Sequence, residues 1–490
     1  MNPYQDLLYC RQFMLCEKEI EDFQTWNIFT IDKYRLYVHP KLPVHTLKRN
    51  EKEIYLLGEL YDYQNVTTTS EDILEKLIKA DSFLELNEKC ESYAGRFILI
   101  FKQNTSINIF NDSAAGRKVY YYVDGNTVCC ATQAHVIAKY FDVKKSSRPE
   151  VLEFYQSPAF KYHKQVGVIE NTSYDQIKLL LANHYFDVNQ REAKRFWPHR
   201  KLNTMSLNEG VEKASAILQG LIKNIHHRNP QLSMAVTAGN DSRLLLSASR
   251  EIAGDIFYYV HRLPLRGNDA DMEMNDRITK LIGNERYIVE HNPEVDPDFK
   301  EIFMQNNEFP AEGNLPIIYN FMYKMCSDKL NIATTLNDVT RSFLTTYKKQ
   351  IDGDLLAKLW DYSDIQYVIE TYDQWLEETL PVLDEYGYYV LDIFNQEERI
   401  TNWAAYYVSD SDIAMDEVAP ISCRELFEIM LSVPSKYRDR HTNVFNRAMI
   451  NHMWPEIGKL PYNPVFRVQL YTVLKKTHLF WPLRRLLKDR

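Results

Sequence analysis

Thr237, Ala238, Gly239, Asn240, Asp241 and Ser242 form a run of small and polar residues between two apolar ones. Leu232-Ser-Met-Ala-Val236 before it reads as a short buried strand, and Leu244 to Ala248 after it carry an apolar helical run. A strand that turns sharply into a helix leaves the first backbone N–H groups of the helix without partners. It also points the positive end of the helix dipole outward. Small side chains let an anion approach that backbone closely, so the turn suits a phosphate or pyrophosphate. Asp241 would repel a phosphate unless a divalent cation sat between them, which makes Mg²⁺ with a nucleoside triphosphate the matching ligand pair. The same residues also suit an ordinary strand–helix junction, with Gly for the turn and Asp or Ser as cap. Lys is absent from the turn, so this is not a Walker-type loop.

The elements around the turn are those of an α/β half beginning near residue 205. Gly210 to Ile225 carries Val211, Ala214, Ile217, Leu218, Leu221 and Ile222 at helical spacing. After the turn come a strand over 256–260, a helix over 271–282 and a strand over 287–289. Strands alternating with helices imply a parallel sheet, with ligand at the carboxyl ends of its strands. Leu330 to Phe343 is an apolar strand breaking into a polar turn. The first half, to about residue 190, alternates short β-like runs with turns. A strand ends at Gly58, a helix over 71–80 has Thr69 or Ser70 as cap, two strands span 96–101 and 106–110, and Asp124-Gly125 signals a hairpin.

Composition bounds the class. A chain of 490 residues with 45% hydrophobic and 26% charged residues suggests two or three globular domains. The formal charge of −9 disfavours non-specific nucleic-acid binding. No apolar run approaches the roughly 18 residues of a membrane helix, and no signal-peptide core is visible. Seven Cys without metal-type pairing fit reduced thiols. The expectation is a cytoplasmic enzyme without a transmembrane segment or a nucleic-acid partner.

The turn resembles the pyrophosphate loop of N-type ATP pyrophosphatases, Ser-Gly-Gly-x-Asp-Ser. Thr237 and Ala238 stand for the first Ser and Gly, and Gly239, Asp241 and Ser242 match outright. The chain as a whole is similar to the asparagine synthetase family. In its first half, Gly58 to Tyr63, Asn111 to Tyr122, Ile177 to Tyr185 and Lys194 to Trp197 follow the order of that family's class II glutamine amidotransferase domain. That family places its nucleophilic Cys directly after the initiator Met, where the α-amino group activates it. Here position 2 is Asn2, with Cys10 and Cys16 further on. The expectation is therefore a first half without glutaminase activity, serving as a scaffold or as a docking domain.

In the second half the resemblance implies an adenine pocket around Tyr259 and Val260. It places Asp338 at an acidic position of the loop that closes over the α-phosphate, where it could bind Mg²⁺ or accept a proton from an attacking amine. Arg341 could neutralise phosphate or carboxylate charge. The family's glycines are replaced by Leu336 and Asn337. An "Arg-x-x-x-Trp" element over Arg399 to Trp403 and a Pro element at Ala419 to Phe427 are expected to pack beside the site. The family's phosphate-contacting Lys is missing near Asn443, and Lys436, Arg438 or Arg440 could substitute. The basic, apolar segment 468–490 reads as a terminal helix or as a surface for a membrane or an acidic partner.

The implied fold is α/β: an Ntn-hydrolase-like αββα sandwich over 1–195, then an adenine-nucleotide α-hydrolase-like parallel sheet with a helical extension over 205–490. The implied function is an ATP- and Mg²⁺-dependent, AMP-forming ligase that adenylates a carboxylate for attack by an amine or ammonia. Thr237, Ala238, Gly239, Asn240, Asp241, Ser242 and Val260 would bind nucleotide, and Asp241 with Asp338 would hold metal. Asp338, Arg341, Lys436 and Arg440 would serve the chemistry. The acid is a small molecule, such as an acidic sugar, or a peptide carboxylate. A carrier or precursor peptide and a homodimer are compatible partners. Three alternatives stay open: a lasso-type peptide macrolactam cyclase, a thiolating or other nucleotide-modifying enzyme using the same loop, and a non-catalytic nucleotide-binding scaffold.

Overall fold

The computed structural model describes residues 2–163, 166–262, 269–334, 341–342, 350–440 and 442–462. Asp338 and the segment 468–490 lie outside them.

Two six-stranded antiparallel sheets form the first half. One has the spatial order Ile177–Leu179, Tyr120–Asp124, Thr127–Ala131, Phe13–Cys16, Tyr34–Val38, Asn27–Ile31. The other runs Glu192–Arg195, His184–Asp187, Ser106–Asn111, Phe97–Gln103, Lys52–Gly58, Val44–Arg49. Period-two alternation assigns their faces. Phe13, Leu15, Leu36 and Cys130 of the first sheet meet Tyr55, Leu57, Ile98 and Ile109 of the second in a shared core. Met14, Cys16 and Cys129 face the other way, against the helix Ala134–Phe141. The outer face of the second sheet, with Ile54, Leu56, Leu99 and Phe101, is covered by the helices Ser70–Leu77 and Phe83–Cys90. The order of layers is helix, sheet, sheet, helix.

The local signals appear where the sequence places them. Thr69 caps its helix in a reciprocal box with Asp72. The Asp124-Gly125 turn joins two paired strands, with Gly125 at φ +53°. Gly58 sits at φ +103°, and a Cβ there would meet the Arg96 carbonyl oxygen at 2.4 Å, so only glycine fits. Cys10 and Cys16 are both buried, and burial pushes the Cys10 thiol up to about 11.

The second half is built on a five-stranded, all-parallel sheet in the order Arg286–Val289, Ile256–His261, Leu232–Ala235, Leu330–Ile332, Asp416–Val418. The strand order reverses between Leu232–Ala235 and Leu330–Ile332, and such a switch point opens a crevice at the carboxyl ends of the strands. The helix Leu207–Arg228 carries Ile217, Leu218, Leu221 and Ile222 into a core continuous with the outer face of the neighbouring antiparallel sheet.

Buried charge joins the halves. The Arg96 guanidinium forks onto Asp412, with Nη1 and Nη2 each 2.6 Å from a carboxylate oxygen. Arg117 Nη2 lies 3.2 Å from Asp416 Oδ1. Asn306, on the helix Pro297–Asn306, accepts from the Tyr9 N–H at 2.6 Å and donates to the Leu7 carbonyl at 2.9 Å. Breaking a buried ion pair from one side costs about 3–5 kcal/mol, because the other charge stays desolvated. Arg96→Ala is therefore expected to lower the unfolding free energy of both halves together by about 3–5 kcal/mol, and Arg96→Met with Asp412→Leu to recover most of it. Urea melts followed by tryptophan fluorescence check this.

Lys118 belongs to the same interface. It is fully buried, its Nζ has no hydrogen-bond partner among the described residues, and it lies 5.1 Å from the centre of the Tyr406 ring. Burial pushes its amine down to about 7. An unfolded lysine holds its proton to about pH 10.4, so between those limits the unfolded chain binds more protons and stability rises with pH. Its penalty is full below the folded value and gone above the unfolded one. Lys118→Met should raise the melting temperature at pH 6, by on the order of 2 °C or more, with a gain that shrinks toward pH 10.

Candidate functional site

Thr237 to Ser242 lie at the carboxyl end of the strand Leu232–Ala235, beside the switch point, and the helix Asn240–Ala248 begins within them. Gly239 is the N-cap residue, and no side chain caps the helix there among the described residues. Among the described residues, a Cβ on Gly239 would meet only the Thr237 hydroxyl, at 3.4 Å. The first-turn amides of Asn240, Asp241 and Ser242 lie at the positive end of a nine-residue helix.

The rest of the turn is braced from within. Ser242 Oγ accepts from the Thr237 N–H at 3.1 Å, Thr237 Oγ1 accepts from the Gly239 N–H at 3.3 Å, and Asp271 Oδ1 accepts from the Ala238 N–H at 2.8 Å. The buried Arg243 guanidinium donates to the Ala238 carbonyl at 3.1 Å and to the Leu460 carbonyl at 3.0 Å, fixing the turn from behind. Arg447 Nε donates to Asn240 Oδ1 at 3.4 Å. The Asp271 carboxylate on a loop amide is an anion on the group a phosphate oxygen would use.

Two arginines from separate parts of the chain act on Asp241, and a third stands beside them. Arg341 Nη2 lies 3.1 Å from Asp241 Oδ2. Arg399 is close enough to pull on Asp241, and Arg440 is close enough to Arg399 and Arg341 to be repelled by both. Burial is the first cause in each case: it pushes Arg399 down to about 9 and Arg440 down to about 10, and raises the Asp241 carboxyl, against which Arg341 and Arg399 pull back. Arg399 stacks over Trp403 at 4.3 Å, one turn along the π-helical stretch Asn395–Ala404.

Lys436 stands apart: it is exposed on the short helix Ser435–Arg438, with Nζ 4.8 Å from the Tyr437 ring centre. Arg438 is buried against Asp392, with Nη2 2.7 Å from Oδ2. Val260 is buried within its strand, aligned with Ile288. The sequence marks the Arg399 segment as neighbouring the site but gives Arg399 no role. The signal was its spacing of four from Trp403, which puts guanidinium and indole on one helical face.

On the side of the sheet covered by the helical segments 315–326 and 405–411, a cavity of about 760 Å³ opens at the strand ends. Ala235, Tyr259, His261, Ile332, Ala333 and Thr334 line it from the strands, and Ile318, Met322, Tyr407 and Val408 from the helices. Its size and mixed lining suit a drug-sized ligand. Around Asp241 the described residues hold no cluster of three or more metal-binding side chains. A lone carboxylate still fits Mg²⁺ delivered with phosphates, since that ion takes one or two carboxylates and completes its shell with phosphate oxygens and water.

No family model and no curated protein matches the chain. Among solved structures, the chain overlaps glutamine phosphoribosylpyrophosphate amidotransferase from B. subtilis, complexed with ADP and GMP, at 8% identity and TM-score 0.26, covering 64% of this chain and 91% of that one. It overlaps an allosteric regulatory enzyme of purine biosynthesis at 9% and 0.26, covering 60% and 78%. NH3-dependent NAD synthetase from Campylobacter jejuni overlaps at 17% and 0.20, covering 37% of this chain and 93% of that one. Likenesses this slight carry no argument about the chemistry.

Gly239 gives a direct test of the turn. Gly239 has φ −76°, so Gly239→Ala introduces no backbone strain, but its methyl group enters the anion approach. A turn that takes a phosphate predicts that the variant melts at the wild-type temperature and gains less stability than the wild type from added Mg·ATP, as read by differential scanning fluorimetry.

Proposed function

We propose that the chain is an ATP-dependent, AMP-forming ligase that activates a carboxylate as its adenylate and passes the acyl group to an amine. The observation that carries this reading is Asp241 facing Arg341 and Arg399, with Arg440 beside both arginines, at a helix N-terminus that no described side chain caps. Oriented amides and desolvated guanidinium groups suit a group whose charge grows during reaction, as the leaving pyrophosphate does. The architecture supports the finer description too: an Ntn-hydrolase-like sandwich in front of an adenine-nucleotide α-hydrolase-like sheet.

In this reading the adenosine lies in the cavity beside Ala235, Tyr259 and Val260, and the phosphates reach the turn. The amides of Asn240, Asp241 and Ser242 hold the β- and γ-phosphates, and Arg399 and Arg440 neutralise them from the other side. Mg²⁺ bound by Asp241, with Asp338 as a further ligand, would screen the phosphates from each other and from the carboxylates. An oxygen of the substrate acid attacks the α-phosphorus, and the bond to the β-phosphate oxygen breaks, with its electrons leaving on pyrophosphate. The amine nitrogen then attacks the acyl carbon and AMP departs. Arg341, next to the loop, suits the anionic acid, which is an acidic sugar or a peptide carboxylate. The first half serves as a scaffold, because Cys10 and Cys16 are buried and the Cys10 thiol is held protonated.

A second reading draws on a specific observation. The amides of Thr237, Ala238 and Gly239 are already bonded by Ser242, Asp271 and Thr237, as in a turn that holds itself closed. In that reading the chain is a scaffold that binds nucleotide weakly or not at all.

ATP–pyrophosphate exchange with pooled candidate acids separates the two. A ligase shows acid-dependent exchange, and the scaffold shows none. Arg399→Met should lower exchange by about a hundredfold or more, in the range of losing one charge-stabilising donor. Asp241→Ala should abolish it while the far-UV circular dichroism stays unchanged. Full exchange in the Asp241 variant would refute the site.

A further inference from the structure

The cavity at the strand ends contains a feature that phosphate binding leaves unused. Its floor is a polar row across three neighbouring parallel strands, where Ser233, Asn331 and Glu417 stand at facing registers. Asn331 Nδ2 donates to Glu417 Oε2 at 2.7 Å. Asn331 Oδ1 accepts from Tyr259 Oη at 3.1 Å and from Ser233 Oγ at 3.2 Å. Ser411 Oγ donates to the other Glu417 oxygen. The hydroxyl protons of Tyr259, Ser233 and Ser411 are thus directed into the row. A carboxylate has about four lone-pair sites, and this one has two occupied by neighbours, so Glu417 offers the cavity acceptor capacity.

Around it stand the apolar side chains of Pro316, Ile317, Ile318, Met322, Ile332 and Val408, together with His261, His291, Asn314 and Tyr407. Among the described residues Glu417 is the one carboxylate in the lining. A lone carboxyl group in such a lining orients a ligand, because it accepts hydrogen bonds from an N–H donor and disfavours a mismatched acceptor. The two ends of the crevice also differ in sign. The loop end has Arg341, Arg399 and Arg440, whereas Glu417 lies two strands away, on the order of 10 Å at usual strand spacing.

We infer that the Glu417 end of the cavity is an amino-group subsite, in which the carboxylate, held by Asn331 and Ser411, accepts hydrogen bonds from an N–H-rich group. It rests on the adenylation reading for which group arrives, and that reading offers two sources. One is the 6-amino group of the purine base. The other is the amine that attacks the acyl-adenylate. In that case an ammonium gives one proton to Glu417, the freed nitrogen lone pair attacks the acyl carbon, the acyl–oxygen bond breaks with its electrons leaving on AMP, and the second proton of the nitrogen departs on the AMP phosphate. Burial holds the Glu417 carboxyl above its usual range, which suits a proton acceptor.

The test uses the full chain, wild type and Glu417→Gln, with Mg·ATP and Mg·ITP titrated by calorimetry. ITP carries a 6-oxo acceptor in place of the amino group. If the base is the source, the wild type binds ATP about tenfold or more tighter than ITP, and the variant brings the ratio toward one. If the amine is the source, the ratio is near one in both. n-Butylammonium chloride then raises the melting temperature of the ATP-saturated wild type but not of the variant, against sodium chloride at equal ionic strength. A ratio near one with no butylammonium effect overturns the subsite. If Glu417→Gln does not fold, the wild-type arms still decide, with neutral n-butanol as the control for the butyl chain. A wild type that binds neither nucleotide overturns the adenylation reading instead, and the butylammonium comparison without nucleotide then judges the subsite alone.

Discussion

Charge held out of water is the constraint on which the second half depends. Asp241 and the guanidinium groups of Arg341, Arg399 and Arg440 are drawn together from four places in the chain, and burial shifts Asp241, Arg399 and Arg440 away from their charged forms. Like charges at such range and depth stay together only if the surrounding elements fix them. The fixing is visible: Arg399 lies on Trp403, and Arg243 ties the turn to the Leu460 carbonyl. In a site assembled in this way the cost of gathering the charges falls on folding.

The same logic runs through the contact between the halves. Arg96 with Asp412, Arg117 with Asp416 and Arg195 with Glu397 pair side chains of the antiparallel half with side chains of the parallel half. Glu397 is fully buried, and its carboxyl is held down at about 2, with Arg195 the leading cause against the opposing burial. Arg399 is two residues further on, in the same π-helical stretch. The first half therefore acts on the candidate site through Asn395–Ala404, which it holds from one side while the arginine reaches the loop on the other.

Much of the fold was legible because its signals are local. Thr69 with Asp72, the Asp124-Gly125 turn and the apolar stripe of the helix Leu207–Arg228 each lie within a few residues, and each fixes a short element by itself. The strand Asp416–Val418 was not legible. It has three residues, two of them acidic, and neither period two nor apolar content marks it; pairing with Leu330–Ile332 makes it a strand. At the site, the small-residue turn could be picked out, because a strand, a glycine and a helix follow one another in sequence. The assignment of its cations could not, since Lys436, Arg438 and Arg440 are equivalent in composition and only packing sends Lys436 to solvent, Arg438 to Asp392 and Arg440 toward Arg399.

By itself the sequence determined the class of turn, the α/β alternation around it and the expectation of a bound polyanion, because these follow from neighbouring residues and their periodicity. The tertiary structure alone decided that Arg399 joins the site, that Asp271 reaches the Ala238 amide, and that Glu417 and Asn331 form the floor of the cavity. The reason is separation along the chain. Asn331 and Glu417 are 86 residues apart, and Ala238 and Asp271 are 33 apart. Nothing in local spacing encodes such contacts; they exist only once five parallel strands have taken their order and brought their carboxyl ends to one edge.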